Sequence, residues 1–419
     1  MNDDLLPVEK PPRRRALSTI FVTVLLDLIG FGMILPLLPF YAQVYEASPF
    51  QIGLLFSSYS LAQLVFAPLL GRLSDRVGRR PLLLASIAGS IAAYLLFAAA
   101  PSLGVLIVAR TLAGVAAANY AIAQAYVADV STRENRARAM GLIGAAFGVG
   151  FVLGPALGAL LVYAGKSDAL GHLGPRLVPL TAAGLAIANL VFAVFWLPES
   201  LSPERRGRSR RGSWLSLADL RVAWASPMMR GLMLLLFLVT LCFSMMESTL
   251  ALFCQQRFGF DASHTGVLFA FVGIVLAVVQ GGLLGRMVRR FGERGLIRGG
   301  ITTMVAGLFI LPFTPVSQPP LLWFALLPLL AGLTLLAIGQ GLNQPSTLSL
   351  LSGLTHDDAQ GGTIGVSRSF SALARTLGPA AGTWLFGTAG AGSPFWAAGG
   401  LMLLALALAV FVLREAPAV

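Results

Sequence analysis

Long apolar stretches, separated by short polar loops, follow one another along the whole chain. Most of these stretches reach the length of about 20 apolar residues that a helix needs to cross a bilayer. The pattern therefore predicts an all-α membrane protein with twelve transmembrane helices. We number the predicted spans 1 to 12 in chain order: 17–40, 51–71, 81–100, 103–128, 139–163, 177–197, 230–254, 264–285, 296–314, 320–350, 362–387 and 394–413.

The few charges are concentrated in the loops, and their sign follows a pattern. The chain is 56% hydrophobic, 11% charged and carries a net charge of +12, whereas roughly a quarter of the residues of a soluble protein are charged. Arginines cluster at 13–15, 72–80, 133–138, 205–211 and 286–298, at the start and in alternate loops. This positive-inside pattern predicts cytoplasmic termini and a lipid bilayer, not nucleic acid, as the partner of the basic residues. Abundant arginine and alanine favour a bacterial source, and therefore the bacterial cytoplasmic (inner) membrane.

Two motifs occur twice, once in each half of the chain. GRLSDRVGRR at Gly71 matches GRMVRRFGER at Gly285, and LGPALG at Leu153 matches LGPAAG at Leu377. The repeat predicts an N-terminal six-helix bundle (1–197), a cytoplasmic linker (198–229) and a C-terminal six-helix bundle (230–419). Parallel repeats of this kind are typical of transporters whose two bundles rock around a substrate at the membrane midplane.

Several motifs resemble those of a known family. GRLSDRVGRRP resembles the signature loop of the major facilitator superfamily. The stretches LLDLIGFGMILPLLP, ARTLAG and GAAFGVGFVLGPALG resemble its twelve-helix drug:proton antiporters, especially the tetracycline-efflux-like branch. The resemblance covers essentially the whole chain. It implies the major facilitator fold of two pseudo-symmetric six-helix bundles, antiport of a small-molecule substrate against protons, multidrug efflux with antibiotic resistance, and a chain that works as a monomer.

The signature loop places a single acid among arginines. Asp75 is expected to have a positive partner, and the free N–H groups at the start of span 11, at Gly361-Gly362, are one candidate. Arg76 could pair with Asp129. Such contacts would latch the two halves on the cytoplasmic side and stabilise an outward-open state; the alternative is a loop that only anchors topology. The predicted cytoplasmic gate consists of Gly71, Asp75, Arg76, Gly78, Arg79, Arg80 and Asp129.

Four ionisable residues lie deep within predicted spans, where charge is costly and functional by default. They are Asp27, Arg110, Glu247 and Arg375, in spans 1, 4, 7 and 11, which line the central cavity in the resembled fold. Desolvation favours a neutral carboxyl group, whereas water or a nearby arginine favours the charged form. Asp27 and Glu247 are therefore the predicted proton carriers, tuned by Arg110 and Arg375; static buried ion pairs are the alternative. Similar depth makes Glu247 and Arg375 the easier pair to form.

Uncharged polar residues within the spans are predicted to line the cavity. Amides and aromatic rings on an apolar wall suit a lipophilic substrate with a few polar groups, although such residues also bond between helices. The candidates are Tyr59, Gln63, Asn119, Tyr120, Gln124, Gln280, Gln340, Asn343 and Gln344.

Span 5 carries small residues at helical spacing together with a proline. Glycines permit close packing of helices, and a proline within a helix bends it. In the resembled antiporters this segment packs at the junction of the halves, and its Gly-Pro pair is associated with antiport. The motif here comprises Gly144, Gly148, Gly154, Pro155 and Gly158.

The sequence shows no motif for a different chemistry. It contains no nucleotide-binding glycine loop, metal-ligand cluster or nucleophile constellation, so we expect no cofactor, no metal and no enzyme activity. The prediction is a proton-coupled exporter of lipophilic cationic or neutral compounds that works by alternating access. The alternative is an organic-anion or metabolite carrier of the same fold, a proton symporter or facilitator, with Arg110 and Arg375 binding the substrate. Spans 3 and 9 lack the acids that the resembled tetracycline exporters carry there, which argues against tetracycline as the substrate.

Overall fold

The computed structural model describes residues 13–132, 135–167, 171, 173–201, 206, 226–316, 322–354 and 360–414, and these residues form helices and loops without a strand. Ten stretches are long and apolar enough to cross a membrane, and one of them, Ala262–Phe313, has 52 residues and can cross twice. The helix Gln360–Ala389 lies outside those ten stretches because glycine, serine, threonine and two arginines lower its hydropathy. With this helix, the described residues trace the twelve predicted crossings and confirm the all-α membrane fold.

The first half contains spans 1 to 6. Span 1 is the helix Arg13–Ile34, continued by a 3₁₀ turn, Leu35–Leu37, and a short helix, Leu38–Gln43. Ser48 begins span 2 with a capping box, in which its side chain accepts from Gln51 N–H and Gln51 accepts from Ser48 N–H, and Pro49 follows at the first helical position, where proline is favoured. Spans 2 to 6 are the helices Pro49–Val77, Arg79–Ala98, Leu103–Ala116 with Asn119–Val130, Arg136–Ala164, and Leu177–Trp196.

The second half contains spans 7 to 12. Span 7 ends at Gly259, whose φ of 68° suits glycine, and Asp261 caps span 8 by accepting from His264 N–H. Span 8 passes through a π-helical segment, Val279–Leu283, and then merges with span 9, with a break in helical geometry at Gly292. The helices of this half are Pro227–Phe258, Ala262–Val278, Leu284–Ile310, Leu322–Gly353, Gln360–Ala389 and Ser393–Val412. The linker predicted at 198–229 falls largely outside the described residues, so the predicted domain boundaries stay predictions.

The two halves meet through two equivalent contacts that the repeat creates. Gly53 of span 2 packs against Pro379, Ala380 and Thr383 of span 11, and Gly266 of span 8 packs against Pro155 and Ala159 of span 5. Each glycine has the same position relative to the residue that caps its helix, and each faces one copy of the repeated Leu-Gly-Pro-Ala motif. The internal repeat therefore supplies both sides of the seam between the halves.

The seam between the halves is tightly packed towards one face of the membrane and looser towards the other. We call the face with the arginine-rich loops the inner face, which the sequence predicts to be cytoplasmic, and the opposite face the outer face. On span 5, Pro155 and Ala159 touch span 8, whereas Gly144 and Gly148, on the same helical stripe nearer the inner face, meet nothing within 4 Å. Spans 5 and 8 therefore diverge towards the inner face, as is expected of two bundles whose central cavity opens on that side.

Candidate functional site

Asp27 is held by two side-chain amides from neighbouring helices. Asn119 Nδ2 donates to Asp27 Oδ2 at 2.6 Å, and Asn189 Nδ2 donates to Asp27 Oδ1 at 3.3 Å and to the Thr23 carbonyl at 3.0 Å. Asp27 itself is half-buried, and no arginine or lysine lies within 4.0 Å of it among the described residues. The carboxylate is therefore fixed in place by hydrogen bonds from neutral donors and not by an opposite charge.

Asn189 was missed by the sequence analysis. It is fully buried at the interface of spans 1 and 6. The signal was present, because Asn189 is the single amide in the otherwise apolar span LVPLTAAGLAIANLVFAVFW. Its contact with Asp27 depends on the packing of spans 1 and 6, which the sequence does not specify.

Arg110 lies on aromatic rings and has no acidic partner among the described residues. Its guanidinium carbon is 4.5 Å from the centroid of the Tyr59 ring and 5.8 Å from that of Phe31, and these two rings stack at 5.0 Å. The residue is 2% exposed, and its Nε has no hydrogen-bond partner. A cation on ring faces is attracted by their quadrupoles, but its donors stay available to an acceptor that enters from the cavity.

Glu247 and Arg375 are both half-buried and come near each other without contact. No side-chain hydrogen bond or ion pair within 4.0 Å involves either residue among those described, although the two charges interact electrostatically. Glu247 lies on a wall of span 7 whose neighbouring residues Met245, Met246 and Ser248 are buried. Their similar depth in the membrane predicted that Glu247 and Arg375 could pair. They form no direct salt bridge in this state.

Several of the uncharged candidates join helices within the first half or between the halves. Gln63 donates to the Ala117 carbonyl at 3.2 Å and so links spans 2 and 4. Gln124 accepts a hydrogen bond from Arg368 of span 11, and the Tyr120 ring lies under the same guanidinium at 5.4 Å. These contacts place Tyr59, Gln63, Asn119, Tyr120 and Gln124 around one region, on spans 2 and 4 beside Asp27.

The second-half candidates lie in different surroundings. Asn343 is completely buried, donates to the Ile297 carbonyl at 3.4 Å and so joins spans 9 and 10. Gln340 is 7% exposed and donates to Gln344 one turn away at 3.4 Å. Gln280 is exposed within the π-helical segment. The amides of span 10 therefore bond mainly within their own half.

Gly150, Gly154 and Gly158 of span 5 pack against span 1. A Cβ built on Gly154 would lie 2.7 Å from Gly32 Cα, and one built on Gly158 would lie 2.7 Å from the Met33 carbonyl oxygen. Both distances are too short for real atoms, so these positions require glycine. Gly150 adds a third contact at Leu28, beside Asp27. Pro155, between these glycines, places its ring Cδ near Gly32 of span 1 and its carbonyl oxygen near Gly266 of span 8, so one motif serves two interfaces.

Arg79 is the centre of the charged loop at the inner face. Its guanidinium bonds to Asp75 at 2.5 Å and to Asp129 at 3.1 Å, and its Nη1 donates to Ser74 Oγ at 2.5 Å. Gly78, with a φ of 118°, turns the chain so that Arg79 points back between spans 2 and 4. Arg79 rather than Arg76 is therefore the partner of Asp129.

Glu199, which the sequence analysis also missed, anchors the same loop. Its carboxylate accepts from the backbone N–H of Arg79 at 3.0 Å and of Arg80 at 3.3 Å, the free donors at the start of span 3. It also accepts from Ser200 and Leu201 N–H, and Arg206 lies 3.8 Å away. These contacts all stay within the first half, and the predicted contact at Gly361-Gly362 lies outside the part of the chain whose side-chain surroundings are described. The role of the loop as a latch between halves therefore stays a prediction.

We expect Asp129→Ala to lower thermal stability more than Asp75→Ala does. Asp129 joins span 4 to Arg79 and also accepts from Ser200 Oγ at 3.2 Å, whereas Asp75 lies one turn from Arg79. Leaving a buried donor unpaired costs about 1–3 kcal/mol, and Asp129→Ala is expected to fall within that range. Thermal unfolding of the purified protein in detergent measures the effect, and equal melting temperatures for the two variants would contradict the assignment.

At the outer face, polar side chains bridge the two halves. Gln43 and Gln255 exchange two amide hydrogen bonds, at 2.7 and 3.1 Å, and Lys166 Nζ lies 2.5 Å from Asp261 Oδ2. A cavity of about 280 Å³ borders the glutamine pair and is lined by residues of both halves, among them Pro49 and Phe386. These bridges close the seam above the central cavity.

Burial alone would raise the pKa of the Asp261 carboxyl, but hydrogen bonds from Lys166, Ser263 and His264 lower it below its ordinary value. A group with a lowered pKa contributes its stabilisation above the ordinary pKa and loses it as pH falls through the lowered value. Asp261 therefore stays ionised, and paired with Lys166, throughout the range from about pH 5 to 8.

We expect Lys166→Gln to open the outer seam modestly, and the intact pair to hold from about pH 8 down to pH 5. An exposed ion pair contributes about 0.2–1 kcal/mol to stability. Its loss should therefore raise the fraction of molecules with an open outer seam about fivefold at most. Spin labels at Val44 and Gln256, both exposed near the seam, report its width by pulsed electron resonance. A seam in the unsubstituted protein that widens between these pH values would refute the pairing.

Comparison with known proteins places these features in a wider group. A model of the Major Facilitator Superfamily matches residues 20–333. The tetracycline resistance protein, class C, of Escherichia coli is 35% identical over 87% of this chain and 88% of its own length. The major facilitator superfamily domain-containing protein 10 of Bos taurus is 30% identical over 97% of this chain and 92% of its own. The crystal structure of the human organic anion transporter MFSD10 (TETRAN) has 30% sequence identity to this chain and superposes on it with a TM-score of 0.71. The superposition covers 96% of this chain and 100% of the transporter chain.

Proposed function

This chain belongs to the major facilitator superfamily, a family of membrane transporters and not of enzymes, and we propose that it exports lipophilic cationic or neutral compounds in exchange for protons. The observation that carries the proposal is Asp27, a half-buried acid beside the cavity that is held by two neutral amides and has no described cationic partner. The relatives named as tetracycline resistance proteins support export as the direction of transport.

The environment of Asp27 suits an acid that gains and loses a proton. An arginine in contact would hold the carboxylate in its charged form, whereas amide donors stabilise it without a full opposite charge. When water has access from the inner face, the charged form is favoured; when the cavity closes around the group, desolvation favours protonation. Such a change in proton affinity between two states is what couples proton movement to alternating access.

Glu247 provides the second proposed proton carrier, in the other half. It has no described bonding partner, and Arg375 acts on it only through space. A movement of span 11 against span 7 would change their distance and with it the balance between the charged and neutral forms. Because Asp27 and Glu247 lie in different bundles, rocking of the bundles alters both environments at once.

A second candidate function is transport of organic anions. It is favoured by Arg110, which is buried on two aromatic rings with an unpartnered Nε and no described acidic partner. Its arrangement suits a carboxylate or sulfonate on an aromatic compound, and one related structure is described as a human organic anion transporter. Under this alternative, Arg110 and Arg375 bind the substrate directly.

The function is tested in inside-out membrane vesicles from a bacterium that produces the protein in its inner membrane. A proton gradient is imposed, and accumulation of lipophilic cationic, neutral and anionic probes, with tetracycline included, is followed with and without a protonophore. The proposal predicts accumulation of neutral or cationic probes that the protonophore abolishes. Accumulation of anionic probes alone would support the second candidate, and the absence of accumulation of every probe would contradict both.

A further inference from the structure

Arg368 of span 11 joins the two halves near the inner face. It lies eight residues after Gln360, where the helix begins, which is about 12 Å along the axis at 1.5 Å per residue. Its Nη1 donates to Gln124 Oε1, and its guanidinium carbon is 5.4 Å from the Tyr120 ring centroid. Both partners belong to span 4, in the other half. This contact, which we call the inner bridge (Arg368, Tyr120 and Gln124), crosses the cavity mouth.

The position of the inner bridge places it between the inner face and Asp27. Tyr120 directly follows Asn119, which bonds to Asp27, and Gln124 lies one helical turn nearer the inner face. Apart from the inner bridge, the halves separate on that side along spans 5 and 8, as the uncovered glycines of span 5 indicate. A compound that moves from the inner face to Asp27 therefore passes the guanidinium of Arg368.

The charge of Arg368 is not neutralised by its partners. Gln124 contributes an uncharged oxygen and Tyr120 an uncharged ring, and no carboxylate lies within 4.0 Å of Arg368 among the described residues. Arg375, one heptad further along span 11, adds a second positive charge that acts on it through space. The cavity mouth is thus positive, while the acids Asp27 and Glu247 lie beyond it.

We propose that Arg368 is a specificity-determining residue, which excludes permanent organic cations from the central cavity and admits neutral and anionic compounds. Two like charges repel each other more strongly where water is partly excluded, because the effective dielectric constant there is about 20 instead of 80. Arg368 also occupies the Tyr120 ring face that an organic cation would otherwise use. The inference rests on the proposed function only in that the substrate enters from the inner face. Of the cationic and neutral compounds named there, it leaves the neutral ones as substrates.

The test compares binding of three probes of similar size and different charge to the purified protein. The probes are tetraphenylphosphonium, triphenylphosphine oxide and tetraphenylborate, and dissociation constants are measured by isothermal titration. Arg368→Gln is expected to bind the phosphonium cation about tenfold more tightly, a change equivalent to about 1.4 kcal/mol. It should bind the neutral oxide unchanged and the borate anion more weakly, while the control Arg368→Lys, which keeps the charge, behaves as the unsubstituted protein.

A second variant keeps the test informative if Arg368→Gln does not fold. Gln124→Glu places a carboxylate on Arg368 and neutralises its charge without removing the bridge, so it should shift affinities in the same direction as Arg368→Gln. Equal gains for the cation and the neutral oxide would show that the bridge is merely a steric obstacle, and no gain for the cation in either variant would overturn the proposal. Binding does not require proton movement, so the result stands apart from the vesicle assay of export.

Discussion

Asp27→Asn should abolish proton-driven export while leaving exchange of substrate across the membrane intact. Asparagine keeps the size of the side chain and can still accept from Asn189 through Oδ1, and a flip of the Asn119 amide lets the new Nδ2 donate to it, but asparagine cannot take up a proton. Removal of a coupling group is expected to reduce accumulation against a gradient by at least about tenfold, which corresponds to about 1.4 kcal/mol of driving force. Counterflow, in which labelled and unlabelled substrate exchange without a proton gradient, should continue.

The matched control is Glu46→Gln, which neutralises an exposed acid in the loop between spans 1 and 2. It should export at the rate of the unsubstituted protein. Full accumulation by Asp27→Asn would remove Asp27 from the coupling mechanism, and loss of counterflow together with accumulation would indicate a structural or substrate-binding role instead.

The second large effect is expected from Gly53→Leu, which should prevent the outer seam from closing. A Cβ built on Gly53 would lie 2.7 Å from the Pro379 carbonyl oxygen and 3.1 Å from Ala380 Cα, and it would overlap the Thr383 side chain. Backbone atoms on the opposing helix cannot move aside locally, so spans 2 and 11 must separate. The protein should therefore favour the outward-open state and lose export, because a transporter that cannot close its outer side cannot complete its cycle.

The measurement is the distance between spin labels at Val44 and Gln256 across the outer seam, together with export in vesicles. Gly184→Leu serves as the control because Gly184 lies on an exposed helix face with nothing within 4 Å of an added Cβ. The control should keep the short label distance and normal export. A closed outer seam in Gly53→Leu would mean that spans 2 and 11 do not form the gate at this position.

The sequence predicted the broad architecture because hydropathy and charge act along the chain itself. The length of the apolar stretches indicated the spans, and the repeated motifs at Leu153 and Leu377 indicated two related halves. The repeat did not reveal that Gly53 and Gly266 each pack against one of those motifs from the opposing half. A close approach of two helices depends on their relative position, and one sequence carries no direct record of that position.

The sequence predicted the residues of the candidate site from their type, but it predicted few of the side chains to which they bond. Ionisable residues in apolar spans stand out, so Asp27, Arg110, Glu247 and Arg375 were found from sequence. Their partners were not, because Asp27 bonds to amides and Arg110 to aromatic rings rather than to each other. Charge complementarity suggests acid–base pairs, whereas the packed helices determine which side chains come within reach.

The loop at the inner face illustrates the same limit on a smaller scale. Its arginines and its single acid were evident, but the choice of Arg79 over Arg76 follows from the turn at Gly78. Glu199 lies far along the chain, and it reaches the start of span 3 only because span 6 ends beside it. An acid that follows a transmembrane helix was not distinctive enough to be selected from sequence alone.

Proton movement during transport tests most directly whether Asp27 and Glu247 couple transport to protons. The purified protein is reconstituted in liposomes that contain a trapped pH-sensitive dye, a pH gradient is imposed, and a lipophilic neutral compound is added. We expect compound-dependent proton movement by the unsubstituted protein that is lost in Asp27→Asn and in Glu247→Gln. Proton movement that occurs only with anionic compounds, or that persists unchanged in both variants, would contradict this coupling.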